Sequence, residues 1–229
     1  MATTYPVTGG AMTYVGEGFG KGLIMFLVGS LDSLSSAFYA ALSAIGFAYS
    51  VSVFIPSIPI IPVALGVIIL VGAMQVRGVK QAGNLQVVLG GFLLVVFAIF
   101  IVRGLTNIHG FNWETFQSGK IIFENQSLGA NISRMLMTIA LVYNAYVGFE
   151  VIADDAEEIV HPNKNIPMGI LISLAITTVI YTLVSLVTIG TIPFSSLAGS
   201  ETALTDAVQL FWPTVGVPVM GLAGIVATL

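Results

Sequence analysis

The stretch "MLMTIALVYNAYVGFEVIADDAEE", from Met135 to Glu158, joins a short apolar run to a group of carboxylates. The uncharged residues between Arg134 and Glu150 would rise about 22 Å as a helix, which is less than a hydrocarbon layer of about 30 Å. Five of the 11 acidic residues of the chain then follow within a few positions: Glu150, Asp154, Asp155, Glu157 and Glu158. The length of the run therefore predicts that Glu150 lies at membrane depth, where ionisable side chains usually face a cavity or a pathway.

The composition places the chain in the membrane. Of its 229 residues, 56% are hydrophobic and 8% charged, with a mean hydropathy of +1.00, whereas a soluble domain carries about 25% charged residues. The apolar runs are continuous, which favours an all-α membrane protein over a barrel of alternating strands. The net charge of −4 argues against a nucleic-acid partner. The lack of cysteine excludes disulfides, thiolate metal sites and a cysteine nucleophile, and no metal or cofactor is predicted.

About six transmembrane helices are predicted within a single transmembrane domain, residues 1–229. The last apolar run has no closing polar flank, so we expect a sequence truncated inside a helix. The predicted spans are residues 22–49, 60–76, 85–102, 135–149, 168–190 and 214–229, the fifth beginning after Pro167 in the first turn of its helix.

The fourth span is predicted to be discontinuous. Unusually short spans interrupted by glycine indicate helices whose free backbone groups form ligand sites near the bilayer midplane. Alternative roles remain for three of the residues around the break: an interhelical hydrogen bond for Asn144, ordinary packing for Tyr146 and a close helix contact for Gly148. The candidate substrate-binding residues are Tyr143, Asn144, Ala145, Tyr146, Val147 and Gly148.

The acidic residues after the break suggest a coupling site. If helix continues, Glu150, Asp154 and Glu157 share one face at i, i+4, i+7 spacing. Glu150 is the proton-coupling candidate because it is the carboxylate predicted inside the membrane. The alternative is that Asp155, Glu157 and Glu158 form a solvated connection between two spans.

Three stretches resemble permeases of the amino acid–polyamine–organocation (APC) superfamily. "YPVTGGAMTYVGEGFG" (Tyr5–Gly20) is similar to the link between the second and third helices of that family. "RGVKQAGNLQ" (Arg77–Gln86) resembles the link between its fourth and fifth helices. "YVGFEVIADDAEEIVHPNKNIP" (Tyr146–Pro167), the most specific of the three, resembles the sixth helix and its exit loop. The chain would then be a fragment from the end of the second helix to the start of the eighth.

The resemblance implies a partial leucine-transporter-like inverted-repeat bundle, whose first and sixth helices are unwound at mid-membrane. Carried over, Asn144 and Val147 offer carbonyl groups to the substrate ammonium, and Tyr146 lies against the substrate as a gate-side aromatic. Residues 5–20 and 154–167 would be cytoplasmic.

The sequence departs from the family pattern in two places that bear on mechanism. The first helix, which would supply half of the substrate site, precedes the part of the pattern that this sequence matches. A lysine common in the fifth helix of proton-coupled members is replaced by Leu93. Coupling to a proton, coupling to sodium and exchange therefore all stay open.

These features together predict a secondary active transporter (permease) of an amino acid or related amine, multi-pass in the plasma membrane. Its expected partners are the substrate, the lipid bilayer and a coupling proton or sodium ion. An intramembrane enzyme is disfavoured because the sequence lacks Gly-x-Gly-Asp and His-Glu-x-x-His motifs. A channel or a membrane assembly subunit is the alternative, although it would favour uninterrupted spans.

Overall fold

The computed structural model describes residues 10–76, 82–118, 127–149, 152 and 159–228, and within them the regular secondary structure is helical, without strands. The all-α prediction is confirmed. In chain order the helices are α1 (Gly10–Phe19), α2 (Leu23–Ser52), α3 (Ile60–Val76), α4 (Ala82–Thr106), α5 (Trp113–Ser118), α6 (Leu128–Ala145), α7 (Pro162–Thr191), α8 (Phe194–Leu197), α9 (Ala203–Phe211) and α10 (Pro213–Thr228).

Each predicted span overlaps an apolar helix: α2, α3, α4, α6, α7 and α10. Among the described residues, three helical segments are long and apolar enough to cross a membrane, namely Leu23–Ser52, Gln86–Thr106 and Pro162–Thr191, with mean hydropathies of 1.5, 2.5 and 2.4. The apolar segments Ile60–Met74, Leu128–Tyr143 and Pro213–Thr228 are shorter. At 1.5 Å per residue, a 30-residue helix such as α7 rises about 45 Å and exceeds the hydrocarbon layer.

Large apolar side chains cover much of the described surface. Phe38 is 69% exposed, Ile69 70% and Leu171 68%. Soluble monomers rarely expose extended apolar patches, whereas lipid solvates such side chains without a free-energy cost. The surface, like the hydropathy, is that of a membrane protein.

The start of α7 differs from the prediction. The helix begins at Pro162, not after Pro167, which lies inside it. Proline suits a first helical position because its fixed φ matches the helix and the N–H it lacks would have no helical partner there. The backbone N–H groups of Lys164 and Asn165 each donate to the His161 carbonyl at 3.0 Å, so the first turn is already closed before Pro167. Two short helices, α8 and α9, lie between the fifth and the sixth predicted spans.

Contacts divide the chain into two compact units. The first unit comprises Met1–Ser36 with Phe123–Tyr181. Ile166, at the beginning of α7, is fully buried there, and the partly buried residues packed against it are Tyr14, Ile152, Ile159 and Ile170. This cluster holds α1 and the start of α7 together.

The second unit comprises Ala37–Ile122 with Thr182–Leu229. Ala44 and Ala48 of α2 are buried against Ala64 of α3, and such small side chains allow helix backbones to approach closely. Elsewhere in this unit the rings of Phe100 and Phe211 pack with centroids 5.5 Å apart, joining α4 to α9. α10 packs against both of these helices.

Candidate functional site

The end of α6 is the structural centre of the candidate site. Regular helix ends at Ala145, and a turn follows over residues 146–149. The Tyr146 N–H donates to the Tyr143 carbonyl at 3.0 Å, which tightens the last turn. Gly148 has a φ of +117°, a conformation that glycine adopts readily and residues with a Cβ avoid. The sequence around Gly148 therefore ends this helix inside the apolar run.

Two tyrosines tie the helix end to α7. The Tyr181 hydroxyl donates to the Ala145 carbonyl at 3.1 Å, and this carbonyl belongs to the last turn, where no intrahelical N–H is available. The rings of Tyr146 and Tyr181 meet edge to face with centroids 5.4 Å apart. The Tyr146 hydroxyl also donates to Thr178 Oγ1 at 3.3 Å. These contacts fix the direction in which the chain leaves α6.

A cavity of about 240 Å³ lies between the turn and α7. None of the lining residues in the described part of the chain carries a charge. The lining consists of Ala145, Tyr146, Val147, Gly148, Phe149 and Ile152 on one side and Ser173, Leu174, Thr177 and Tyr181 of α7 on the other. The backbone of the turn and the hydroxyl groups of α7 give this cavity polar groups to which a small ligand can bind.

The structure brings together four of the six candidate substrate-binding residues: Ala145, Tyr146, Val147 and Gly148 all line the cavity. Tyr143 is 66% exposed and does not line it. The side chain of Asn144 lies outside the described part of the chain, as do Glu150 and the acidic residues at 154, 155, 157 and 158.

The α7 side of this site was not predicted from the sequence. Ser173, Thr177 and Tyr181 recur at i, i+4 and i+8, the spacing of one helix face. A stripe of hydroxyl groups along an otherwise apolar helix was the available signal. The position of this stripe opposite the end of α6 could not be predicted from the sequence, because it depends on how two segments more than 20 residues apart pack against each other.

A second cavity, of about 300 Å³, lies in the other unit. It is bounded by α2, α4, α9 and α10 and is mainly apolar, with Glu201 at its lining. It contains none of the candidate residues from the α6 turn, so the geometry assigns the candidate site to the smaller cavity.

The family assignment comes from the whole sequence. A sequence model of the family described as "Amino acid permease" matches residues 1–229. The chain belongs to this amino acid permease family. The superfamily resemblance of the three motif stretches is thereby confirmed.

Several curated relatives of the chain are named as permeases or transporters. It is 30% identical to a methylthioribose transporter of Bacillus subtilis over 57% of the chain and 26% of that protein. It is 27% identical to a branched-chain amino acid permease of Lactococcus lactis over 91% of the chain and 48% of the permease. It is 31% identical to cationic amino acid transporter 4 of Homo sapiens over 63% of the chain and 21% of that protein.

The chain thus spans about half the length of the relative that it matches most fully among these three. The names are those of transport proteins and not of enzymes, in agreement with the interpretation of the sequence. Permease-family membership and the apolar helices together make this a membrane protein of the transporter class.

Proposed function

We propose that the protein is a secondary transporter of an amino acid or a related small compound, working by alternating access around an interruption at the end of α6. The names of the relatives support this substrate class, because two of the three name amino acids and the third names another small compound, methylthioribose. The proposal includes residence in the plasma membrane and coupling to a proton or a sodium ion. It treats residues 1–229 as one transporter domain, part of a larger inverted-repeat bundle.

The observation that carries the proposal is the cavity at a helix C-terminus. The last carbonyls of a helix lack intrahelical donors and bear the negative end of its macrodipole, so they attract a cation. Ala145, Val147 and Gly148 border the cavity at this end. A substrate ammonium would bind peptide oxygens here, while Tyr146 closes the cavity beside it. The carbonyl of Asn144, one residue earlier, would belong to the same group.

The interruption itself is supported by length. An apolar run of about 22 Å cannot cross about 30 Å of hydrocarbon as one regular helix, and regular α6 ends at Ala145, before that run is complete. The free backbone groups of the turn then lie at membrane depth, where they are tolerated only beside a cavity or buried in protein.

Counterflow in proteoliposomes tests the function. The protein is expressed from its complete reading frame, reconstituted, loaded with one unlabelled amino acid at a time and given the same amino acid with a radiolabel outside. An alternating-access carrier accumulates label transiently, whereas empty liposomes do not. Ion conductance without counterflow of any amino acid would instead support the channel alternative.

Tyr181→Phe tests the position of the site. The change removes the hydroxyl that donates to the Ala145 carbonyl at 3.1 Å and keeps the ring against Tyr146. A hydrogen bond of this kind is worth about 1 kcal/mol, so we expect the KM for uptake to change about fivefold. Tyr39→Phe, at an exposed tyrosine of α2, is the matched control and should leave KM unchanged. If Tyr181→Phe and Tyr39→Phe had the same KM, the substrate would not bind at this turn.

Glu150→Gln tests proton coupling. Glu150 lies outside the described residues, and its candidacy depends on the predicted depth of the apolar run. Glutamine keeps the shape of the side chain and cannot titrate, so uptake driven by a pH gradient should lose its pH dependence. Glu114→Gln, in the surface helix α5, should retain it. A pH profile that Glu150→Gln leaves intact would exclude this carboxylate as the coupling group.

A further inference from the structure

Three hydroxyl-bearing residues of α7 line the cavity, Thr178 lies beside them on the same helix, and the hydrogen bonds of these four residues differ. Ser173 Oγ donates to the Ile170 carbonyl at 2.9 Å. Thr178 Oγ1 donates to the Leu174 carbonyl at 2.7 Å, and Tyr181 donates to Ala145. The hydroxyl protons of these three residues are therefore already used within the protein.

Thr177 is the exception. It is half-buried and lines the cavity, and among the residues that the structure describes its hydroxyl has no hydrogen-bond partner. Threonine in a helix commonly donates to the carbonyl four residues earlier, as its neighbour Thr178 does. The hydroxyl is not fully buried, so water can satisfy it in the empty cavity, and a ligand that displaces this water keeps its affinity only if it replaces the hydrogen bond. Because Thr177 lines the cavity, a ligand bound there can form a hydrogen bond with its hydroxyl.

The rest of the lining restricts what that ligand is. The ten lining residues that the structure describes include aromatic, aliphatic and hydroxyl-bearing side chains and no charged one. A cationic or anionic side chain placed against this wall would lose its hydration without gaining a counter-ion, which is strongly unfavourable. An uncharged side chain, apolar or bearing a hydroxyl, matches the lining.

We infer that Thr177 determines specificity in the side-chain subsite of the permease. This inference rests on the proposed function: the α6 turn holds the charged ammonium group, and the α7 wall contacts an uncharged substrate side chain. The Thr177 hydroxyl forms a hydrogen bond with a hydroxyl on that side chain. The substrate class is that of neutral amino acids, among which those with a hydroxyl are favoured over apolar isosteres.

Threonine and valine test the inference because they have nearly the same shape and differ in one hydroxyl. Both are used as competitors of labelled substrate in counterflow by the complete protein. Wild-type protein should prefer threonine to valine, and Thr177→Val should reduce that preference about two- to tenfold, the effect of one hydrogen bond. Thr177→Ser, which keeps the hydroxyl, should preserve the preference. Retained competition by valine shows that a variant is folded.

Thr178→Val is the matched control, one position along the same helix. It removes a hydroxyl that supports Tyr146 and does not line the cavity, so it should weaken threonine and valine alike. If Thr177→Val is inactive, Thr177→Ala provides the same comparison. The inference is wrong if loss of the Thr177 hydroxyl leaves the ratio of competition by threonine to competition by valine unchanged, or if Thr178→Val shifts that ratio equally. Either result would leave the proposed function intact. Wild-type protein that gives counterflow with no amino acid overturns the proposed function.

Discussion

Gly148 combines an unusual backbone conformation with a position in the lining of the proposed transport site. Its φ of +117° is unfavourable for any residue with a Cβ, although a Cβ built there meets no described atom within 4 Å. Gly148→Ala therefore tests backbone conformation without a steric clash. Such strain costs about 1–3 kcal/mol, so we expect counterflow to weaken about fivefold or more.

Gly129→Ala is the control for this prediction. Gly129 lies within α6, its added Cβ also meets no described atom within 4 Å, and its φ is not positive. Alanine is the better helix former by about 1 kcal/mol, so this variant should transport normally with equal or higher thermal stability. Wild-type counterflow by Gly148→Ala would show that the turn conformation does not matter for transport.

At the scale of elements, glycines allow the helices of the second unit to pack closely. A Cβ on Gly104 of α4 would overlap the side chain of Val187 of α7. Overpacking of this kind typically costs about 1–3 kcal/mol, so Gly104→Ala should lower the midpoint of thermal unfolding in detergent by a few degrees. Gly91→Ala, in the same helix and with no described atom within 4 Å of the new Cβ, should not. Equal midpoints for the two variants would contradict the close packing of α4 on α7.

The elements also show what could be read from sequence. The spans were predictable because lipid-exposed helices are apolar on every side, so that hydropathy alone marks them. The start of α7 was placed at the wrong proline, since both Pro162 and Pro167 are compatible with a first turn and the carbonyl of His161 decides between them. The α6 half of the candidate site was predictable from its glycine and its short run. Thr177 was not, because its significance depends on hydrogen bonds that its neighbours form and it does not.

The distribution of charged residues does not determine which side of the molecule faces the cytoplasm. Residues Lys21, Arg77, Lys80 and Lys164 are predicted on one side and Arg103, Lys120 and Arg134 on the other. This difference is too small for the positive-inside rule. The motif resemblance implies that residues 154–167 are cytoplasmic. Because α7 is longer than the hydrocarbon layer is thick, its two ends should lie on opposite faces.

Single-cysteine labelling tests this orientation on a favourable background, because the 229 residues contain no cysteine. Lys164→Cys and Ser196→Cys place thiols at exposed positions near the beginning of α7 and just beyond its end. Any cysteine outside this segment is first changed to serine. A membrane-impermeant maleimide applied to intact cells should label Ser196→Cys, and it should label Lys164→Cys only after permeabilisation.

Ile176→Cys, on the exposed apolar surface of α7, should resist the reagent in both conditions because lipid excludes it. Labelling of Lys164→Cys in intact cells, with Ser196→Cys protected, would invert the orientation and place the acidic residues after α6 outside the cell. In that case Glu150 could not take up a proton from the side that the resemblance implies. Labelling of both ends in intact cells would mean that α7 does not cross the membrane, and the cavity at the end of α6 could not then lie on a transport pathway.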